Sequence, residues 1–177
     1  ILSWPAVLIA ASALLPLAWA DSWPTAQPVS IFSDSGKFFV RIVPGTNLGG
    51  TVGFAGAQKG APASGWLYRL QPDKSFALVK EIALANPIAP VDALVSNTGA
   101  FLTFDNWHNL GYGKIVAIYS ADGRLVRSYE LEELYPADKL SKISASVSSR
   151  YWRCRPWGFV DPKEQARVYV GEALGGL

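Results

Sequence analysis

The chain of 177 residues contains no methionine, one cysteine (Cys154) and one histidine (His108). A single cysteine excludes an internal disulfide framework. One histidine and one cysteine together leave too few soft ligands for an ordinary zinc site. Charge is also sparse: charged residues make up 17% of the chain, the net charge is +2, and no basic run occurs. A nucleic-acid partner is therefore not expected. The nucleophile patterns G-x-S-x-G and S-x-x-K are missing, as are the Walker and G-x-G-x-x-G phosphate loops.

Charge is entirely lacking from residues 1–20, ILSWPAVLIAASALLPLAWA. This apolar stretch ends in Ala18-Trp19-Ala20, a small-x-small pattern that marks a signal-peptide cleavage site. About 20 apolar residues can also span a bilayer, but Pro5, Pro16 and the Ala-x-Ala ending favour the signal peptide. No cysteine stands just beyond the apolar run to carry a lipid anchor. The mature chain is thus expected to be secreted or periplasmic, with no stable membrane span. The initial Ile1 and the strand-like run near the closing VGEALGGL read as a piece of a longer chain.

What is present is apolar and turn-rich: 50% hydrophobic, 12% aromatic, Gly 16 and Pro 12. That composition suits one globular β domain over 21–177. Residues 91–131 hold apolar runs at Val91–Val95, Ala100–Phe104, Lys114–Tyr119 and Arg124–Tyr129, separated by turn signals. They predict a four-stranded antiparallel meander. Upstream, strands are expected through Ser30–Phe32, Lys37–Val43, Trp66–Leu70 and Phe76–Ile82. The intervening Gly45, Gly49, Gly50, Gly53, Gly56, Gly60 and Gly65 read as a surface loop. Leu131 and Leu134, followed by a turn over Ala137–Ile143 beyond Pro136, predict one short helical connector. Strands return at Trp157–Val160 and Arg167–Val170.

Two echoes suggest repetition. Ser33-Asp34-Ser35-Gly36-Lys37-Phe38 recurs as Ser96-Asn97-Thr98-Gly99-Ala100-Phe101, and each is followed by a hairpin containing Tyr68…Leu78 or Tyr119…Leu125. A four-stranded unit repeating every ~40 residues is the signature of a propeller blade. The pattern resembles secreted bacterial β-propeller-like repeats, loosely of NHL or WD type but without the Trp-Asp dipeptide. Ile118–Val126 is also similar to a single YD repeat of large secreted wrapping proteins. The propeller resemblance implies an all-β fold with approximate units at 29–84, 91–131 and a partial one at 147–177. A closed propeller takes at least about four blades, so an incomplete propeller is expected, or an open stack of sheets.

Two clusters are candidates for a site. The first is the loop of Asp105, Asn106, Trp107, His108 and Tyr112. Asp105 with His108 can serve as an acid–base pair, and Asp105, Asn106 and Asn109 offer oxygen ligands for calcium without EF-hand spacing. A plain structured loop accounts for the same residues. The second candidate is Arg153, Arg155 and Trp157, where arginine alternates with aromatics and can stack on a sugar or grip a carboxylate. The plainer expectation for that strand is arginines facing solvent or pairing with Glu side chains, with Cys154 buried and structural. No metal or cofactor is assigned. The expected function is non-catalytic binding or scaffolding of a protein or glycan. The alternative is a hydrolase or lyase acting on glycans through the Asp105–His108 loop.

Overall fold

The structure, a computed structural model, describes residues 23–46, 60–146, 148–160 and 167–173. The expected signal peptide and most of the Gly-rich loop lie outside the described residues. The chain is all-β. A first antiparallel meander comprises β1 (Val29–Phe32), β2 (Phe38–Val43), β3 (Ser64–Leu70) and β4 (Phe76–Ala83). A second comprises β5 (Asp92–Val95), β6 (Phe101–Phe104), β7 (Val116–Tyr119) and β8 (Leu125–Tyr129). The helical connector is two single turns, α1 (Leu131–Leu134) and α2 (Ala137–Leu140), separated by Pro136. Glu133 folds back onto the Glu130 backbone N–H at 2.7 Å to start α1, satisfying a donor that has no partner within the helix. A third unit is a two-stranded sheet in which β9 (Arg153–Phe159) pairs with β10 (Val168–Glu172).

The two echoing hairpins close by the same chemistry. Gly36 (φ +66°) and Gly99 (φ +92°) occupy the left-handed region, where glycine is relieved of a Cβ clash. Their N–H groups donate to Ser33 and Ser96 carbonyls. Their registers correct one detail of the sequence echo. Phe32 lies opposite Phe39, whereas Val95 lies opposite Phe101. The first turn holds one residue more, so Phe39, not Phe38, is the counterpart of Phe101.

The equivalence extends across both sheets. Phe39 pairs with Tyr68 and Phe101 with Tyr119, and each tyrosine follows a register shift against the fourth strand. Val40, Ile42, Leu67 and Ile82 of the first sheet pack on Ala93, Val95, Phe101, Ala117 and Tyr119 of the second. The second sheet therefore turns its Phe–Tyr face toward the first, while the same face of the first sheet turns outward. A second cluster, Ile115, Leu131, Tyr135, Ile143 and Trp152, joins the second sheet to the connector and the third unit. No helix among the described residues is long and apolar enough to cross a membrane.

Candidate functional site

The loop between β6 and β7 is built backbone first. Asp105 (φ +57°) and His108 (φ +68°) both sit in the left-handed region, as do Gly111 and Gly113. Non-glycine residues rarely adopt it, and Asp and His are among the more tolerant. The Asp105 N–H donates to the Ile115 carbonyl at 2.7 Å, and Asn109 N–H to the Asn106 carbonyl at 2.9 Å. The loop thus folds on itself before any side chain contributes.

Asp105 is completely buried. Its Oδ1 accepts from the Gly111 N–H at 3.0 Å and from Trp152 Nε1 at 2.7 Å, and its Oδ2 accepts from Arg153 Nε at 2.6 Å. Arg153 in turn donates through Nη2 to Asp92 at 2.8 Å, and its side chain is 5% exposed. A buried charge needs this degree of pairing, since an unpaired one costs several kcal/mol, on the order of its desolvation. Asn106 is buried as well. It donates through Nδ2 to the Tyr112 carbonyl at 2.7 Å and accepts at Oδ1 from Asn86 Nδ2 at 3.0 Å. Asn86, fully buried in the β4–β5 connector, also donates to the Asp105 carbonyl and accepts from Thr103 Oγ1. Each of these buried amides has found partners, as a stable polar network requires.

The aromatic members point elsewhere. Trp107 donates through Nε1 to the Pro24 carbonyl at 2.8 Å and meets Trp23 edge-on at 5.4 Å. His108, half-buried, lies 5.8 Å from Trp23, and that burial lowers its pKa below the ordinary 6.5. Tyr112 is half-exposed beneath the Arg150 guanidinium, 4.2 Å from its ring, and Arg150 Nη1 also pairs with Glu132 at 2.6 Å.

The two sequence candidates are therefore brought together at Asp105 and Arg153, which fold against each other. His108 stands apart, with Trp23 and Trp107. The arginine expected to face solvent is buried because Asp105 and Asp92 both lie within its reach. Cys154, expected to be buried, is exposed on β9. In the register Arg153 opposes Glu172 and Cys154 opposes Gly171; strand alternation sends Arg153 inward and Cys154 to the other side. Arg155 and Trp157 belong to β9, and their side chains lie outside the described residues. Among the described residues, no three His, Cys, Asp or Glu side chains gather as a metal site.

Sequence reasoning passed over Asn86, Asp92 and Trp23. Nothing in ALANP around Asn86 distinguishes it from a turn residue, and Trp23 sits in a lead-in that reads as extended chain. A cleft of about 580 Å³ lies between the second sheet (Leu102, Phe104, Val116, Ile118) and the third unit (Phe159, Val168). Its lining carries no charged side chain. Comparison with protein-family models, with curated proteins and with solved structures gives no match.

Proposed function

We propose that the protein is an exported, non-catalytic binding or scaffolding module of propeller-like repeats. Its ligand, a glycan or a protein surface, is taken by the cluster of Trp23, Trp107 and His108. The observation that carries this reading is the state of Asp105. A general acid or base must be within reach of a substrate proton. This carboxylate is buried, with both oxygens engaged by Trp152, Gly111 and Arg153. Without it, His108 has no acidic partner among the residues it meets, and the glycan hydrolase reading loses its acid–base pair.

The aromatic residues of the loop are held differently. Trp107 is fixed at its indole N–H by Pro24, which leaves the ring a rigid apolar surface with little entropy to lose on binding. The propeller-like reading draws support from the equivalent faces of the two sheets and from the third unit, which adjoins the opposite face of the second sheet across the cleft. Glycan-array binding by the wild type, with a parallel hydrolase and lyase screen, tests the proposal. Binding that falls at least 10-fold in a Trp107→Ala variant that still folds, with no turnover in the wild type, is expected. Turnover that disappears in a folded His108→Ala variant overturns it.

A further inference from the structure

We propose that the outward face of the first sheet is a self-complementary interface, on which a second copy of this chain docks across a two-fold axis running along β3. This inference stands independently of the Trp23, Trp107 and His108 cluster.

The face is apolar and open. Phe32 is 53% exposed, Leu78 50% and Phe76 38%. Phe39 stacks on Tyr68 at 4.6 Å with planes 9° apart, and Phe32 and Phe76 each approach Phe39 at 4.8 Å. Contiguous apolar surface of this kind marks an interaction site. Rings stacked across neighbouring strands stand upright on the sheet, so their edges meet solvent. That suits interdigitation with other side chains, not a platform for a flat sugar ring.

The molecule contains the covered counterpart of this face. Phe101 and Tyr119 occupy the equivalent positions in the second sheet and stack at 4.5 Å with planes 8° apart. There the pair is fully buried beneath the first sheet, and the Tyr119 hydroxyl accepts from the Ala85 N–H at 2.7 Å. In the second sheet, then, the Phe–Tyr face is one that another sheet covers.

Charge identifies the occupant. The register places Arg41, Trp66 and Glu81 in one row across β2, β3 and β4, next to the row of Phe39, Tyr68 and Leu78. Arg41 and Glu81 are exposed, and neither makes an ion pair or side-chain hydrogen bond among the described residues. Two such faces related by a two-fold axis along β3 exchange the positions of β2 and β4. Arg41 of each copy then lies opposite Glu81 of the other, and Phe39 opposite Leu78. A closed two-fold dimer is the commonest way to bury a self-complementary patch.

Sedimentation analysis of the chain tests this. Wild type is expected to dimerise. Arg41→Glu and Glu81→Arg are each expected to weaken the dimer at least 10-fold, because each sets like charges against one another. The decisive sample is their equimolar mixture. One chain then presents two carboxylates and the other two cations, so the mixture is expected to form a heterodimer at concentrations where each variant alone is monomeric. Both sites are exposed, so each variant should fold, and any fall in its unfolding midpoint should vanish when wild type is diluted to a monomeric concentration for comparison. A monomeric wild type, single variants that dimerise as wild type does, or a mixture that stays monomeric overturns the proposal.

Discussion

Arg153 donates from Nε to Asp105 at 2.6 Å across 48 residues of sequence, and from Nη2 to Asp92 at 2.8 Å. Asp92 opens the second sheet and Asp105 follows its second strand, so a single guanidinium from the third unit ties down both ends of the first hairpin of that sheet. Trp152, its neighbour in sequence, adds the indole N–H to the same carboxylate. The loop that most resembles a catalytic site by its residue types is in this way the joint between two structural units.

The joint requires close backbone contact, which Gly111 provides. Its φ is +72°, and a Cβ there would stand 2.6 Å from the Arg150 carbonyl oxygen. Gly111→Ala is expected to lower stability by about 2 kcal/mol or more, combining left-handed strain with displacement of Arg150. Gly36→Ala is the control: φ is +66° but nothing lies within 4 Å of the added Cβ, so only the strain of roughly 1–2 kcal/mol applies. Urea unfolding of the two variants separates the terms.

Tyr119 links the two sheets through its hydroxyl as well as its ring. Burial raises its pKa above 10.0, so the phenol stays neutral. Tyr119→Phe keeps the stack on Phe101 but leaves the Ala85 N–H without its acceptor. An expected loss of about 1–2 kcal/mol follows from one unsatisfied buried donor, read as a fall in the denaturation midpoint with unchanged slope.

His108 makes stability depend on pH in a definite direction. Burial lowers its folded pKa below 6.5, so between those two values the unfolded chain binds more protons than the folded one. Stability contributed by this residue is present above pH 6.5 and declines as pH falls toward the folded pKa. His108→Asn tolerates the same positive φ and removes the titration. The variant's unfolding midpoint should be flatter than wild type just below pH 6.5. An identical slope in both would show that His108 gains no burial on folding.

The fold was largely legible in the sequence because its signals are local. Serine–glycine turns and alternating apolar runs place all eight strands of the two meanders within a residue or two. Glu130–Glu133 and Pro136 divide the helical connector. Sheet membership and the repeat were visible for the same reason. The site was less legible, since its partners are remote in sequence. Asn86 looks like a residue of a proline-bounded linker until Asp105 and Asn106 fold onto it. Arg153 looks like a solvent-facing strand residue until two carboxylates of the preceding unit come within reach. The one-residue offset between Phe38 and Phe39 was hidden because an extra turn residue shifts every following side chain to the other face.

The central claim is that Asp105 serves as a structural anchor for Arg153 and not as a catalytic group. A double-mutant cycle with Asp105→Asn and Arg153→Gln, read by urea unfolding, tests it most directly. Asn tolerates the positive φ of Asp105, so backbone strain does not enter the cycle, and the lost Asp92 pair is carried equally by both corners that contain Arg153→Gln. Breaking a buried pair from either side is expected to cost about 3 kcal/mol. The double variant should be no worse than Arg153→Gln alone, giving a coupling energy of roughly 2 kcal/mol or more. Effects that add to within about 0.5 kcal/mol, or an Asp105→Asn variant as stable as wild type, would contradict the account.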